Sequence, residues 1–495
     1  MKKILRMVSL IGSVPWFIIG VTSENVTLIL ISIILMLSHN ILYCLEDFFR
    51  RVIFFTFNMS FFVFLISKMI VVHFFGYKDE GLGIFGLAFD DISTVKTILV
   101  SQYLSLIGLF IGYMIIQKID LSFLKQKKEY DVTYIRHFRF FSILFFYFCV
   151  IFRFYYLWEM KQNVQSQGYY EVFSTFTSSL PSVLVMFSQM FDVAFFAYLA
   201  TNPTKKRSIF PIGIFMLEGL LGAMAGHRSS LMLNLVIVFI YFALRSIQDK
   251  PKMQKVIKSS KKKWLGAKEW FFVSLSLPAV LVYMTFIGMN RGNRFQETGG
   301  FFDSILNFFY TQGISANLIG YGQMFKEYLP MKGFYTLGPV GEFIDNKIIR
   351  PIQGSPELTG QTYERATEGF LFAHTISYFI MPALYLKGVG YGSSFIAEFF
   401  VDLSFLGVFL GSVMYGAILF ILFYVLKNGN MLVVTFALIM TRAIMFAPRG
   451  AAMSFIVSAF TPSKIIAISI IFIGTFFMRS ILGKNRRGLM NYNNL

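Results

Sequence analysis

The sequence predicts an all-α, polytopic integral membrane protein: a bundle of about twelve transmembrane helices with one large outer-face loop. Its 495 residues are 56% hydrophobic and only 14% charged, whereas about 25% are charged in a typical globular domain. Aromatic residues make up 18% of the chain, including 61 Phe. A soluble fold could not bury that much apolar surface, and a disordered chain shows the opposite bias in composition.

Apolar stretches of about 20 residues cross a bilayer as helices, because lipid offers backbone groups no hydrogen-bond partner. The predicted spans are 5–21, 26–44, 52–73, 97–116, 140–158, 179–200, 209–226, 229–244, 270–289, 403–426, 431–447 and 463–480. The span 403–426 carries no charge at all. Pro462 and Lys464 interrupt the last apolar run, which leaves a re-entrant segment at 448–463 open.

Basic residues predict that both termini lie in the cytoplasm, because Lys and Arg concentrate in cytoplasmic loops. The predicted inner loop 245–268 holds nine Lys or Arg residues and one acid, Asp249. The predicted outer loop 74–96 is instead acidic. Loop 245–268 is expected to face anionic lipid and set the topology rather than bind a specific partner. The expected location is the cytoplasmic membrane.

Three parts follow from these spans. Residues 1–289 form a nine-helix membrane portion, 290–402 an outer-face loop, and 403–495 the last three helices with a basic tail. Within the loop, 301–319 and 369–386 are apolar but interrupted by polar residues, so we expect re-entrant or interfacial helices there. A loop of this length usually carries function.

Some charges lie inside the apolar runs, where an isolated charge costs about 2.5–3.5 kcal/mol. Lys68 and Arg153 are expected to snorkel to the interface. Asp192 and Glu218 lie on neighbouring predicted helices. They either pair with a basic residue for structural reasons or take part in function, and the sequence leaves both alternatives open.

Arginines collect beside the predicted outer ends of the spans, where the positive-inside rule disfavours them. They are Arg228 in the turn 225–230, Arg291 and Arg294 after the ninth span, Arg350 and Arg365 in the outer loop, and Arg442 and Arg449 around the eleventh span. A guanidinium binds phosphate oxygens through two parallel hydrogen bonds, so this set of arginines predicts an anion-binding site. A single arginine of this kind is more often a lipid-headgroup anchor.

Glu398 and Asp402 are spaced i, i+4 just before the strongest span, and we expect them to share an outward helix face at the membrane boundary. Such a carboxylate either serves as general base for a sugar hydroxyl or complements the helix dipole. His374 is a candidate base or hydrogen-bond donor, with a structural role as the alternative.

The motifs of nucleotide-driven, metal-dependent and serine-hydrolase chemistry are absent from the sequence. The sequence has no Walker A loop, no metal-ligand spacing and no Gly-x-Ser-x-Gly elbow, so no metal, cofactor or nucleotide is predicted. The apolar composition also argues against a nucleic-acid partner for the +19 net charge.

The stretch 388–398, read as Gly-Val-Gly-Tyr-Gly-Ser-Ser-Phe-Ile-Ala-Glu, resembles a block in Wzy-type polysaccharide polymerases. The likeness continues through Asp402, Gly407-Val408 and Gly411-Ser412. Three other pieces are similar to the family: Gly226-His227-Arg228-Ser229, Arg291-Gly292-Asn293-Arg294 and Thr311-Gln312-Gly313-Ile314-Ser315. Together these motifs span about residues 220–450.

The resemblance implies a polytopic helical glycosyltransferase of the GT-C-like class. It would join oligosaccharide repeat units carried on undecaprenyl pyrophosphate, at the outer face of the cytoplasmic membrane. It implies pyrophosphate or glycan contacts for Arg228, Arg291, Arg294, Arg442 and Arg449, and substrate binding by His227, with Arg365 and His374 as weaker members of the site. Arg291 would be catalytic, and Glu398 or Asp402 would be the base. Gly390 and Gly392 either let a sugar approach the backbone or form a plain turn.

Two other functions stay open. A lipid-linked glycan ligase would share the donor and use another acceptor. A flippase for the same oligosaccharide would need short outer loops, and the outer segment of about 110 residues argues against it. The expected partners are undecaprenyl-pyrophosphate-linked glycans and membrane lipids, and a chain-length regulator protein remains open.

Overall fold

The structure is a computed structural model that describes residues 2–76, 91–125, 131–167, 172, 176–248, 264–271, 301–330 and 333–492. The first eight helices are α1 (Lys2–Thr22), α2 (Val26–Glu46), α3 (Val52–Phe75), α4 (Ile92–Gln117), α5 (Val132–Gln167), α6 (Ser182–Ala200), α7 (Lys205–Met224) and α8 (Arg228–Gln248). The later ones are α9 (Phe301–Gln312), α10 (Asn317–Phe325), α11 (Gly338–Ile344), α12 (Arg350–Gln353), α13 (Tyr363–Glu368), α14 (Phe372–Ile380), α15 (Pro382–Tyr385), α16 (Phe395–Asn428), α17 (Met431–Ile444), α18 (Ser454–Ala459) and α19 (Pro462–Tyr492).

Ten helical stretches in the described ranges are long and apolar enough to cross a membrane. They are α1 to α8, α16, and the stretch Ser454–Ser480 that runs from α18 into α19. The described part contains no strand, so the prediction of a polytopic helical membrane protein is confirmed. Helix α17 has only 14 residues, and the predicted span 270–289 lies outside the described residues from 272 onwards. The predicted count of twelve is therefore not confirmed.

Helices α4 and α16 touch backbone to backbone through small residues. A Cβ added at Gly112 would lie 1.8 Å from the carbonyl oxygen of Val413, and one at Gly416 would lie 2.1 Å from that of Leu109. Lipid supplies no hydrophobic force that drives helices together, so close van der Waals packing of this kind holds them. This pair forms a rigid centre for the bundle.

The two ends of the bundle can be told apart by their contacts. Near the N-terminus, Arg6 forms an ion pair with Glu46 at 2.9 Å. At the other end, Lys96 binds Glu24 at 3.0 Å. Gln323 of α10 donates a hydrogen bond to the first turn of α4, at 3.4 Å. Helix α10 therefore reaches the end of the bundle opposite the N-terminus.

Helices α9 and α10 form a hairpin that dips into the bundle and returns. Phe302 packs on Phe75 at the end of α3, with ring centroids 5.9 Å apart. At the tip, the 3₁₀ turn Gly313–Ala316 packs against Lys68. Lys68 lies about 10 Å along α3 from Phe75, so the tip reaches well inside the bundle. Irregular backbone at such depth is tolerated where protein buries it or where it lines a cavity.

Helix α16 contains a sharp break at 403–404, where φ of Ser404 is 54°. The two turns before the break fold back along the rest of the helix. A Cβ at Gly407 would lie 2.3 Å from the carbonyl oxygen of Phe399, so the glycine permits this contact. Phe395 then stacks on Tyr415, with centroids 4.7 Å apart. The residues that precede the break are thereby carried into the bundle.

The chain is interrupted again between α17 and α19. Residues 445–461 contain the 3₁₀ turn Ala447–Arg449 and the short helix α18 instead of a continuous span. The guanidinium of Arg449 lies over Phe64, 5.8 Å from the ring centroid. Phe64 is about 16 Å along α3 from Phe75, near the middle of that helix. Helix α3 itself contains a π-helical turn there, Phe62–Ile66, a feature frequent at functional sites.

The charges in the apolar runs have protein partners. Lys68 is only 1% exposed, and Arg153 binds Glu218 at 2.7 Å. The prediction that Lys68 snorkels is therefore wrong, whereas Arg153 keeps 24% of its side chain exposed beside Glu218. Asp192 pairs with Lys464 at 3.1 Å, so both acids pair with a basic residue.

Candidate functional site

Arg449 is held by the tip of the α9–α10 hairpin. Its Nη1 donates to the backbone oxygen of Gln312 at 3.2 Å and to the side-chain Oε1 at 3.0 Å. Gln312 is the last residue of α9. Both acceptor oxygens are uncharged, and these contacts orient the guanidinium. A preorganised cation inside the bundle is a natural anion-binding group.

The glycine-rich loop 388–392 runs past this arginine. Gly392 is exposed, and its φ of 78° lies in the left-handed region that an L-residue adopts only with strain. A Cβ at Gly392 would lie 3.7 Å from the carbonyl oxygen of Arg449. The loop therefore brings open backbone next to Arg449.

Glu398 ties this loop to the turn that carries Arg449. The side chain is fully buried. Its Oε1 accepts from the hydroxyl of Ser393 at 2.6 Å, and its Oε2 accepts from the backbone N–H of Ala452 at 2.7 Å. The expectation that Glu398 looks outward is wrong, because α16 folds back before residue 403. We call Arg449, Gln312, Gly392 and Glu398 the central site.

Asp402 bonds a different part of the chain from Glu398. Its Oδ1 accepts from the backbone N–H of Tyr335 at 2.8 Å, and its Oδ2 accepts from the N–H and hydroxyl of Thr336 at 2.9 and 2.6 Å. These bonds hold the 3₁₀ turn Tyr335–Leu337, which leads into α11. Glu398 and Asp402 thus bond different parts of the chain, and the expected outward direction fails at Glu398.

Lys68 is a cation beside the hairpin tip that sequence reasoning did not assign to the site. Its Nζ lies 4.5 Å from the ring centroid of Tyr310. A Cβ at Gly313 would fall 2.4 Å from the Cβ of Lys68, so glycine is what lets the tip reach the lysine. The one sequence feature that could have assigned Lys68 to the site is its charge within an apolar run. The π-helical turn beside it has no comparable signal in the sequence.

The turn with His227 and Arg228 meets the same elements. Both residues are partly buried. Leu231, in the first turn of α8, lies in one apolar cluster with Phe308 of α9, and Val63 of the π-helical turn packs against that cluster. The structure thus places this turn against the hairpin that holds Arg449.

Arg442 belongs to a polar network between helices. Its Nε donates to Oδ1 of Asn234 at 2.9 Å, and the Nδ2 of Asn234 donates to Oε2 of Glu218 at 3.0 Å. Glu218 also accepts both hydrogen bonds from Arg153. These contacts join α5, α7, α8 and α17.

Arg365 and His374 lie in a second group, in the segment 333–394. Arg365 donates from Nε and Nη2 to Oε1 of Glu342, at 3.1 and 2.6 Å. His374 shares a hydrogen bond of 2.9 Å between its Nδ1 and the hydroxyl of Tyr385. Burial, helped by the charge of Arg365, lowers the pKa of His374 to about 3, so the ring is neutral near pH 7. Arg350 forms a similar pair with Asp345, at 2.7 Å.

The arginine set is therefore only partly brought together. Arg449 bonds the hairpin tip, and α8, which begins at Arg228, shares an apolar cluster with the hairpin, whereas Arg365 and Arg442 are bonded elsewhere. Arg291 and Arg294 lie outside the described residues. In the described ranges, His, Cys, Asp and Glu form no group that could hold a metal ion.

A family model for O-antigen polysaccharide polymerase Wzy matches residues 5–480. The match runs from α1 into α19 and includes the hairpin, the glycine-rich loop and the turn at Arg449. No curated protein and no solved structure matches the chain.

Proposed function

The chain belongs to the O-antigen polysaccharide polymerase Wzy family, and we propose that it joins undecaprenyl-pyrophosphate-linked repeat units at the outer face of the cytoplasmic membrane. Family membership supports a glycosyltransferase-like polymerase of lipid-linked repeat units. The identity of the carrier, the face of the membrane and the roles of single residues are parts of our proposal.

The proposed reaction is a glycosyl transfer. A hydroxyl of the acceptor repeat unit attacks the anomeric carbon of the donor glycan. The glycosidic bond forms as the bond from that carbon to the pyrophosphate oxygen breaks, and the hydroxyl proton passes to a base. The pyrophosphate linkage stores the required energy. The leaving group needs fixed positive charge around it, which arginine supplies best.

The placement of Arg449 is the observation that carries the proposal. It is fixed by Gln312 at the hairpin tip, beside the exposed backbone of Gly392. We assign Arg449 to the pyrophosphate, with Arg228 and Lys68 near it. One such preorganised donor is worth about 2.7–4 kcal/mol in the transition state.

The other sequence-predicted residues take the following roles. Arg291 and Arg294 remain proposed pyrophosphate contacts on the sequence motif alone. We give Arg442 and Arg365 positioning roles, because they are already bonded to Asn234 and Glu342. His227 belongs with Arg228, and His374 belongs with Arg365.

Glu398 is our candidate for the general base, in preference to Asp402. Asp402 already accepts three hydrogen bonds at the start of α11. Glu398 is joined to the turn of Arg449, and Ser393 is its hydroxyl partner at 2.6 Å. Because Glu398 is fully buried, the substrate proton would reach it through the hydroxyl of Ser393.

The orientation rests on the basic loops together with the ends of the bundle. With the N-terminus in the cytoplasm, as those loops predict, the end reached by α10 faces outward. The proposed parts 1–289, 290–402 and 403–495 then place the hairpin and the segment 333–394 on the outer side. This is the side on which we expect the substrates.

The deciding experiment supplies purified protein in vesicles with lipid-linked repeat unit alone. A ladder of glycan lengths, with release of undecaprenyl pyrophosphate, is expected. Scrambling of the substrate across the vesicle membrane without a ladder would identify a transporter instead. Transfer that occurs only after a different acceptor is added would identify a ligase. The same assay with an added chain-length regulator measures its effect on the ladder.

A further inference from the structure

An aromatic surface lies in the segment 333–394, outside the proposed catalytic chemistry. Tyr363 is 55% exposed, and its ring packs edge-on against Tyr378 with centroids 5.6 Å apart. Tyr378 meets Tyr385 in the same way at 5.8 Å. Tyrosine rings with an open face offer apolar area and a hydroxyl at the same place.

The glycine-rich loop passes directly beside these rings. Gly390 is exposed, and a Cβ there would lie 3.0 Å from Nε2 of Gln361 and 3.6 Å from the hydroxyl of Ser377. Gln361 precedes Tyr363 by two positions, and Ser377 immediately precedes Tyr378. The exposed backbone of Gly390 therefore lies between the two chain segments that carry the rings.

The amide of Gln361 has hydrogen-bonding capacity to spare. Its Oε1 is buried and accepts no hydrogen bond from the residues that the structure describes. An acceptor left unsatisfied in this way costs free energy, which would be recovered if the partly buried amide turned to meet a donating hydroxyl.

Arg365 and His374, the titratable groups beside the rings, carry no net charge with their partners, although Glu364 and Lys387 are exposed on the same chain segments. The charge of Arg365 is neutralised by Glu342, at 2.6 Å. His374 is neutral because burial lowers its pKa to about 3. An amide, open backbone groups and aromatic faces without net charge suit a sugar, whose hydroxyls form hydrogen bonds and whose C–H face packs on rings. A pyrophosphate would need the cations found at the central site instead.

We infer that Gln361, Tyr363, Tyr378 and the exposed backbone of Gly390 bind a sugar residue of the repeat unit, beside the pyrophosphate at the central site. The inference rests on the proposed function. Gly390 faces this surface and Gly392 faces Arg449. Two positions of chain span at most about 7 Å, so one loop contacts both the glycan and the pyrophosphate of one substrate.

The test measures equilibrium binding of two probes to the full-length protein in detergent. One probe is the oligosaccharide released from the lipid-linked repeat unit, and the other is undecaprenyl pyrophosphate without sugar. Tyr363→Ala should weaken oligosaccharide binding about tenfold and leave undecaprenyl pyrophosphate binding unchanged. The control is Tyr328→Ala, which removes another exposed tyrosine, 68% exposed, and should change neither affinity.

Each other outcome has a definite meaning. If the wild type binds neither probe, the proposed function fails and the inference fails with it. If the wild type binds both but Tyr363→Ala matches the wild type, the sugar surface is refuted and the proposed function stands. Loss of both probes in Tyr363→Ala also refutes the inference, because the residue then supports the fold rather than the glycan. Gln361→Ala should repeat the selective loss, since it removes the spare acceptor.

Discussion

Arg449 donates from one nitrogen, Nη1, to both the backbone oxygen and the side-chain oxygen of Gln312. The two residues are 137 positions apart in the chain, so this contact fixes the re-entrant hairpin against the turn that follows α17. It also sets the direction of the guanidinium. The contact links the architecture of the bundle to the proposed chemistry, and it is the first to test.

We expect Arg449→Lys to lower the rate of chain extension about 100-fold or more, because an ammonium cannot bond Gln312 and also grip a pyrophosphate as a fork. The measurement is the initial rate of ladder formation at equal protein. Arg350→Lys is the matched control, because Arg350 pairs with Asp345 in the segment 333–394. A wild-type rate in Arg449→Lys would contradict the assignment.

Arg291→Lys is expected to abolish extension while leaving membrane insertion intact, on the sequence motif alone.

The variant Glu398→Gln distinguishes two roles of Glu398: a general base, or a residue that only positions the loops. Glutamine can accept from the N–H of Ala452 and donate to the hydroxyl of Ser393, so both loops stay joined. If Glu398 is the base, kcat should fall about 100-fold while undecaprenyl pyrophosphate still binds. Glu398→Ala loses both bonds and should also lower the melting temperature. An unchanged kcat in Glu398→Gln would show that the carboxylate only positions the loops.

Gly392→Ala and Gly390→Ala form a matched pair in one loop. Gly392 has a φ of 78°, so alanine there should cost about 1–2 kcal/mol and displace the loop from Arg449. At Gly390 the added Cβ meets the flexible end of Gln361, which can move. Thermal unfolding should therefore show a clear loss for Gly392→Ala and little change for Gly390→Ala. Equal losses would contradict the strain argument.

His374 should make the protein less stable on the acid side. Its folded pKa of about 3 lies below the ordinary value of 6.5, so the unfolded chain binds a proton that the folded protein does not. This difference is absent above about pH 6.5 and grows as the pH falls towards 3. We expect the difference in melting temperature, His374→Gln minus wild type, to be larger at pH 5 than at pH 7.5. A constant difference across that range would refute the prediction.

The fold class was readable from the sequence because long apolar runs have one physical solution in a bilayer. The position of Arg449 beside a span end singled it out, and the motifs contained Gln312 and Glu398. The directions in which these side chains point could not be predicted from the sequence. The break at 403–404 lies in an uncharged apolar run, and nothing local indicates that Glu398 turns inward there.

Long-range pairs were hidden for a related reason. Arg365 looked available for an anion, but Glu342 binds it from 23 residues earlier in the chain. Lys68 was expected to reach the interface, yet the hairpin from residues 301–325 buries it. A charge in an apolar run shows that a partner is needed, whereas the tertiary fold decides which partner it receives.

The contact between α4 and α16 should be the least tolerant of added volume. In Gly112→Ala the new Cβ would overlap the carbonyl oxygen of Val413, at 1.8 Å, and backbone cannot move aside as a side chain can. Overpacking of this kind costs about 1–3 kcal/mol, so the melting temperature and the yield of folded protein should drop. Gly213→Ala is the control, because that helical glycine has no atom within 4 Å of the added Cβ. If Gly112→Ala melts at or above the temperature of Gly213→Ala, the two helices do not touch as described. The rigid centre that positions the central site would then have to lie elsewhere.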